Sequence, residues 1–293
     1  MNLDLAQLEA LAAAVTEGTF DAAAKTLHVT PSAISQRVKA LENAVGRVLL
    51  TRTKPVQPTE SGQALLRLAR QIGTLTDDVA REIGGVDATR EPAVIPLAVN
   101  ADSLATWLLP ALVAAGPSLV FDLHSDDQDR TADLLRHGTV MAAVTAAGEA
   151  VPGCTVDRLG SMRYRPMASP GFAARWFADG TVTEQFSRAP MVVFDRNDRL
   201  QDDYARRRTR RHLDPPRQYV PGSAAFVEAV CLGLGWGMLP DLQTRHLRTG
   251  ELVELDPRRY VDVQLFWQQW RLRSPSLDLV ADAVREAAAS TLH

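Results

Sequence analysis

TFDAAAKTLHVTPSAISQRVKALENAVG, residues 19–46, holds two helical patterns separated by a three-residue break. Phe20, Ala23, Ala24 and Leu27 recur at helical spacing, and the alanines let a second helix approach closely. His28-Val29-Thr30 forms the break. Thr30 suits an N-cap, and Pro31 suits the first helical position, where a missing N–H costs nothing. The spacing therefore predicts a helix from Pro31 to about Val45, stopped by Gly46. Ile34, Val38, Leu41 and Val45 share one face of it and belong in a core. Ser32, Ser35, Gln36 and Lys39 lie on the other face. An ordinary solvated helix would carry a Glu/Lys ladder there. Hydroxyls, an amide and one cation are instead the set a helix needs in the major groove, where base edges present donors and acceptors and phosphates border them. Residues 19–39 thus read as a helix-turn-helix.

The flanking sequence supports that reading. Leu5, Leu8, Leu11, Ala12 and Val15 mark an amphipathic helix over 4–17, ended by Gly18. Val48-Leu49-Leu50 and the segment around Val56 predict a small β-wing, with Arg52 and Lys54 at its tip to reach a phosphate backbone. The full chain of 293 residues carries a net charge of −3, yet Lys25 to Lys54 hold six bases and one acid. Such a local basic patch is the footprint of phosphate binding. A winged helix-turn-helix domain is expected over residues 1–58.

Residues Thr19-Phe20, Ala23-Ala24, Leu27, Thr30-Pro31-Ser32-Ala33-Ile34-Ser35, Val38, Leu41-Glu42, Gly46, Leu49, Arg52 and Thr59-Glu60-Ser61-Gly62 together resemble the amino-terminal signature of LysR-type transcriptional regulators. The resemblance covers about the first 65 residues, and length and domain order agree with it over the rest. It implies double-stranded operator DNA as partner, contact with RNA polymerase, and a homodimer or homotetramer. The expected DNA-binding set is Thr30, Pro31, Ser32, Ser35, Gln36, Lys39, Arg52 and Lys54.

After Pro55 and Pro58, Thr59 can cap a new helix. Leu65, Leu68, Ile72, Leu75 and Val79 then step by threes and fours, an apolar seam over about two heptads. Such a seam suits either a buried helix or a dimerising linker. Its place between two units favours the linker, over 59–89, because one helix-turn-helix reads few base pairs and a two-fold pair reads a palindrome. Gly84-Gly85 and Glu91-Pro92 mark the next boundary.

From residue 94 short apolar runs alternate with helical patterns. Strands are predicted at 94–99, 119–124, 140–145, 164–168, 190–194, 217–220, 235–239 and 261–270. Helices are predicted at 103–115, 130–137, 171–177, 200–207, 223–233, 240–247 and 276–289. The alternation argues for a parallel sheet covered by helices, with ligands at the carboxyl ends of strands. The family resemblance implies more: a periplasmic-binding-protein-like sensor over 93–293 with two lobes joined by crossing strands. Lobe I would take about 93–166 and 266–293, and lobe II about 167–265.

Polar residues at those strand ends are the effector candidates. They are Asn100, Asp102 and Ser103; His124 and Asp126, with Asp127 beside them; Thr145; Asp195; and Ser223. Each has the alternative fate of a local cap. NADSLATWLLP, GLGWGMLP and the segment Trp267 to Leu272 also resemble the family branch that responds to basic amino acids and controls lysine or arginine export. This implies lysine, arginine or histidine as effector. A small organic acid, or a role as an origin-binding replication inhibitor, is the alternative within the family.

Other classes find less support. Hydrophobic residues at 46% and charged residues at 23% describe an ordinary globular chain rather than a disordered or fibrous one. Cys154 and Cys231 are too few for a disulfide framework, form no metal spacing, and have no neighbouring base to favour a thiolate sensor. No cofactor or metal is expected. No GxSxG, P-loop or HExxH pattern points to an enzyme. The amino-terminal segment lacks a basic n-region, and no apolar run reaches the ~18 residues of a membrane span. A cytoplasmic protein without membrane association is predicted. Trp236, Trp267 and Trp270 read as core or hinge residues, and Arg206-Arg207-Arg208, Arg210 and Arg211 as a solvated helix end.

Overall fold

The computed structural model describes residues 3–51, 53–84, 93–125, 128–245, 247 and 250–293. Arg52, Asp126 and Asp127, all singled out in the sequence, lie outside the described residues.

The chain opens with α1 (Leu5–Thr16), α2 (Phe20–Thr26) and α3 (Pro31–Val45). Each has a side-chain cap: Asp4 accepts from the Gln7 amide at 3.1 Å, Thr19 from Ala22 at 3.1 Å and Thr30 from Ala33 at 3.2 Å. Gly46, at φ 72°, closes α3 in the left-handed conformation expected of a glycine stop. Ala10, Ala14, Ala23 and Ala24 are buried where the three helices meet around Leu11, Ile34 and Leu41. The wing is a two-residue antiparallel ladder of β1 (Leu50–Thr51) and β2 (Gln57–Pro58).

Helix α4 (Glu60–Gly84) follows. Gly62 sits so close to the wing that a Cβ there would lie 2.0 Å from the Leu49 carbonyl oxygen. The seam predicted for dimerisation divides along this helix. Leu65 and Ala69 are buried in the core of the helix-turn-helix, and Leu68 and Ile72 pack against the same core. Leu75 and Val79 are exposed, at 37% and 52%. Leu65 is therefore corrected from a dimer contact to an intramolecular one, because α1 packs against the first turns of α4. From its middle to its far end α4 meets the second unit. Asp78 is buried and accepts from the hydroxyls of Ser274 at 2.5 Å and Ser276 at 2.6 Å. Arg81 pairs with Asp78 at 2.5 Å, and Arg70 donates to the Gly138 carbonyl.

The second unit begins with β3 (Ala93–Val99) and a helix of three segments: α5 (Ala101–Ser103), a π turn (Leu104–Leu108) and α6 (Leu109–Ala114). The π turn precedes Pro110, which lacks the N–H for a regular bond and whose ring would crowd the Thr106 carbonyl in an α-helix. Then come β4 (Leu119–Ser125), α7 (Gln128–Arg136) and β5 (Ala142–Thr145). The long β6 (Cys154–Ala168) leads to α8 (Pro170–Trp176), α9 (Val182–Arg188), β7 (Met191–Val193), α10 (Leu200–Thr209) and β8 (Arg217–Tyr219). The chain continues through α11 (Ser223–Cys231), β9 (Gly237–Pro240), α12 (Asp241–Thr244) and β10 (Val253–Glu254). It finishes with β11 (Val261–Trp270) and α13 (Pro275–Thr291).

The sheet is mixed rather than parallel throughout. β4, β3 and β5 run parallel, as do β7 and β8. β11 pairs antiparallel with both β5 and β6, and β6 pairs antiparallel with β9 and β10. The expectation of a parallel sheet thus holds only inside each lobe. β6 and β11 are the two crossing strands that join the lobes, paired from Tyr164–Val261 to Cys154–Trp270. Only the last five residues of β6 were predicted as strand, because its earlier positions, such as Asp157 and Arg158, are polar. Trp236, Trp267 and Trp270 are almost wholly buried, as core residues.

Candidate DNA-reading helix and effector cleft

On α3 the two faces separate as the spacing requires. Ile34, Val38 and Leu41 are buried, whereas Ser32, Ser35, Gln36 and Lys39 are exposed. Ser35, Gln36, Lys39 and the exposed Lys54 of the wing make no hydrogen bond or ion pair among the described residues, so these groups are available to a partner. Thr30 differs: its hydroxyl caps α3 and lies 2.9 Å from Ser32 Oγ. Pro31 is exposed and fixes the start of the helix. Glu42, noted in the sequence only as part of the motif, accepts from the Leu49 amide at 2.8 Å and ties the end of α3 to the wing.

A cleft of about 550 Å³ opens between the lobes. Four of the sequence candidates line it: Asn100 and Asp102 at the start of α5, Asp195 beyond β7, and Ser223 at the start of α11. All lie at carboxyl ends of strands or the helix starts beyond them, where open α/β units bind ligands. Asn100 occupies the N-cap of α5, yet its side chain makes no capping bond, and its Oδ1 is buried without a partner. The first-turn amides of that helix are thus left without a side-chain acceptor.

Three candidates do not line the cleft. Ser103 is fully buried, one step further round the helix. Thr145 is buried and accepts from the Ala147 amide at 3.1 Å, as a turn cap. His124 pairs with Asp122 at 3.1 Å along β4, away from the cleft.

Tyr164, Asp198 and Gln243 line the cleft without having been predicted. The Tyr164 hydroxyl donates to Asp102 Oδ2 at 2.7 Å, and the Ser223 hydroxyl donates to Asp102 Oδ1 at 2.6 Å. Burial, then the neighbouring Asp102 charge, pushes the Tyr164 phenol far above its ordinary pKa and keeps it a donor. Asp198 accepts from the amides of Phe194 at 2.9 Å and Leu200 at 3.0 Å. Burial nevertheless raises its pKa, outweighing those bonds. Asp195 accepts from the amides of Asn197 and Asp198, at 2.6 and 2.9 Å.

The charges of the lining are unequal. Asp102, Asp195, Asp198, Asp203 and Asp262 face Arg199 and Arg207. Asp203 is paired with Arg206 at 2.8 Å, and Asp262 with Arg163 at 2.8 and 2.9 Å. Asp102, Asp195 and Asp198 have no ion-pair partner among the described residues. Three carboxylates satisfied only by hydroxyls and amides make a cleft suited to cationic groups.

Both cysteines are free, and burial raises both thiols. Among the described residues no group of three or more His, Cys, Asp or Glu is placed to hold a metal ion. No helix there is long and apolar enough to cross a membrane.

Comparison with known proteins agrees with this anatomy. Residues 5–63 match the family described as bacterial regulatory helix-turn-helix protein, lysR family, and residues 96–289 match the LysR substrate binding domain. The HTH-type transcriptional regulator LysG of Mycobacterium tuberculosis is 45% identical over 288 residues, covering 98% of this chain and 94% of that one. The crystal structure of ArgP from Mycobacterium tuberculosis superposes with a TM-score of 0.89 at 44% identity, covering 100% of this chain and 99% of that one. Full-length LysG from Corynebacterium glutamicum with bound effector Arg superposes with a TM-score of 0.79 at 36% identity, covering 99% of this chain and 100% of that one. From the capped reading helix to the two-lobed cleft, this chain belongs to the LysR family of bacterial regulatory helix-turn-helix proteins.

Proposed function

We propose that the protein is a transcriptional regulator whose effector is a basic amino acid, arginine or lysine, and whose target is a basic amino-acid exporter gene. The observation that carries the effector is the trio of cleft carboxylates without a cation. The effector's α-carboxylate meets the uncapped first-turn amides of the helix that starts at Ala101, and its α-ammonium meets the orphan Oδ1 of Asn100. Its side-chain cation pairs with Asp195 and Asp198 in the opposite wall. A neutral side chain of equal length would leave these acids desolvated and unpaired, which is the physical basis of selection. The bound Arg of the Corynebacterium glutamicum relative and the names of the other relatives support this reading.

The division into 1–58, 59–89 and 93–293, with lobes of 93–166 plus 266–293 and 167–265, belongs to the same proposal. So do a cytoplasmic homodimer or homotetramer and contact with RNA polymerase. Exposed Leu75 and Val79, and Leu109 and Val113 on α6, are the apolar positions offered to a second copy. Isothermal titration with arginine, lysine, norleucine and benzoate tests the effector. Arginine or lysine is expected to bind at least about tenfold tighter than norleucine. Equal norleucine binding would remove the acids from recognition, and binding of benzoate alone would assign an organic-acid effector.

A further inference from the structure

A second hollow, of about 270 Å³, lies beside the effector cleft, where the last turn of α10 meets the approach to β11. Tyr204, Tyr260 and four arginines, Arg207, Arg208, Arg258 and Arg259, line it. Among the described residues a single acid reaches these guanidinium groups: Asp256 lies 2.9 Å from Arg208 and 3.7 Å from Arg259. Tyr204 also donates to Asp256, at 3.4 Å. Arg207 and Arg258 have no ion pair or hydrogen bond among the described residues. The Tyr260 ring is held by the Arg163 guanidinium, 3.7 Å above its centroid. A solvated helix end accounts for exposed arginines one at a time. It does not account for four that converge on one concavity from two separate elements, against their mutual repulsion.

We propose that this hollow is a binding site for a small phosphate-bearing anion, separate from the effector site. Guanidinium forks match phosphate oxygens in geometry and hold them with charge-assisted bonds. The volume falls just under the ~300 Å³ at which drug-sized pockets begin, so it suits phosphate groups rather than a large organic ligand. The two sites touch. Arg207 and Val261 line both the hollow and the effector cleft. An anion that neutralises Arg207 removes a positive charge from the rim of a cleft whose acids are free for a cation. The anion therefore tightens binding of the basic effector, and by linkage the effector tightens binding of the anion. This coupling rests on the effector proposed above; the anion site itself does not.

Titration of the full-length protein with sodium pyrophosphate, at constant ionic strength and without amino acid, tests the site alone. One saturable site per chain is expected. Arg258→Gln should weaken it at least about tenfold. Arg210→Gln, in the same basic run but outside the hollow, should change it less than about twofold. Both variants alter exposed side chains, and unchanged thermal midpoints would show that they fold. Absence of saturable binding, or equal losses in the two variants, would overturn the site in favour of diffuse charge. Loss of operator affinity in Arg258→Gln with pyrophosphate binding unchanged would overturn it in favour of a DNA-backbone contact. A repeat with arginine as titrant, with and without saturating pyrophosphate, reads the coupling, expected at about fivefold. Saturable pyrophosphate binding with no change in arginine affinity would sustain the site and overturn the coupling.

Discussion

The Ser223 hydroxyl lies 2.6 Å from Asp102 Oδ1, and these two residues begin helices on opposite sides of the effector cleft. The carboxylate receives its other short bond from Tyr164 on a crossing strand, at 2.7 Å. Asp102 therefore joins both lobes and their connection. Ser223→Ala removes the bond across the cleft without adding bulk. Loss of about 1 kcal/mol from the contact between the lobes, or about fivefold in effector affinity, is expected. Calorimetry showing no change would mean that the two lobes meet equally well without this bond.

On the proposed pairing of the effector's cation with Asp198, effector binding should depend on pH. Burial raises its pKa, and the Asp195 charge adds to the rise. Only the ionised carboxylate pairs with a cation, so affinity for arginine should fall as pH drops through that raised value. Binding in this range should release protons, which titrations in buffers of different ionisation enthalpy detect. Asp198→Asn should abolish this pH dependence.

Asp78 makes stability, rather than binding, pH-dependent, through a pKa shifted the other way. Burial alone would raise its pKa, but hydrogen bonds from Ser274, Ser276 and Arg81 outweigh that and hold it below the ordinary carboxylate value. A depressed folded-state pKa gives stability that is present above the unfolded value of about 3.9 and lost as pH falls through the folded one. Asp78→Asn should cost about 1–3 kcal/mol at pH 7, measured by chemical denaturation. The gap between the two proteins should close at lower pH. A constant gap would show that charge has no part in the contact.

The exposed face of α3 predicts a division between reading and holding DNA. Gln36→Ala should cost about 1–3 kcal/mol and relax preference at one base pair. Lys39→Ala should weaken all sequences alike and reduce the salt slope by about one. Binding titrations over a set of single-base operator variants, at several salt concentrations, separate the two. An unaltered profile for both variants would remove α3 from the groove.

The divided seam of α4 predicts two different failures. Lysines at Leu75 and Val79 should weaken self-association, seen by sedimentation, while the helix-turn-helix keeps its fold. Leu65→Lys buries a charge in the amino-terminal core and should unfold that unit instead. Full association of the Leu75→Lys, Val79→Lys double variant would place the contact between copies elsewhere.

The helix-turn-helix was almost wholly legible because its signals are local. Thr30, Pro31 and Gly46 act within a few residues of their own positions. The candidate effector cleft was half legible. Strand-end position identified Asn100, Asp102, Asp195 and Ser223, but the same rule also chose Ser103 and Thr145, which are buried away from the cleft. Tyr164 lies within a strand, and only the crossing of β6 and β11 brings it to Asp102. Asp198 stands three positions beyond Asp195, in a loop whose turn chemistry gave no sign of which acid would be the buried one. The seam of α4 misled in part for a general reason. Apolar spacing marks a face that is covered, but not whether the cover is the same chain or a second one.

Helix α4 is 25 residues long, which at ~1.5 Å per residue makes a rod of about 37 Å. Leu65 and Ala69 build its first part into the DNA-binding core, and Asp78 fastens its far part to the start of α13. A rod fastened at both ends is a lever. From Asp78 to Glu60 is about 27 Å, so a tilt of about 5° about Asp78 displaces the start of the helix by about 2.4 Å, most of the ~3.4 Å step between neighbouring base pairs. A change in lobe geometry too small to disturb the packing of either core would thus shift the exposed face of α3 by most of one base-pair step.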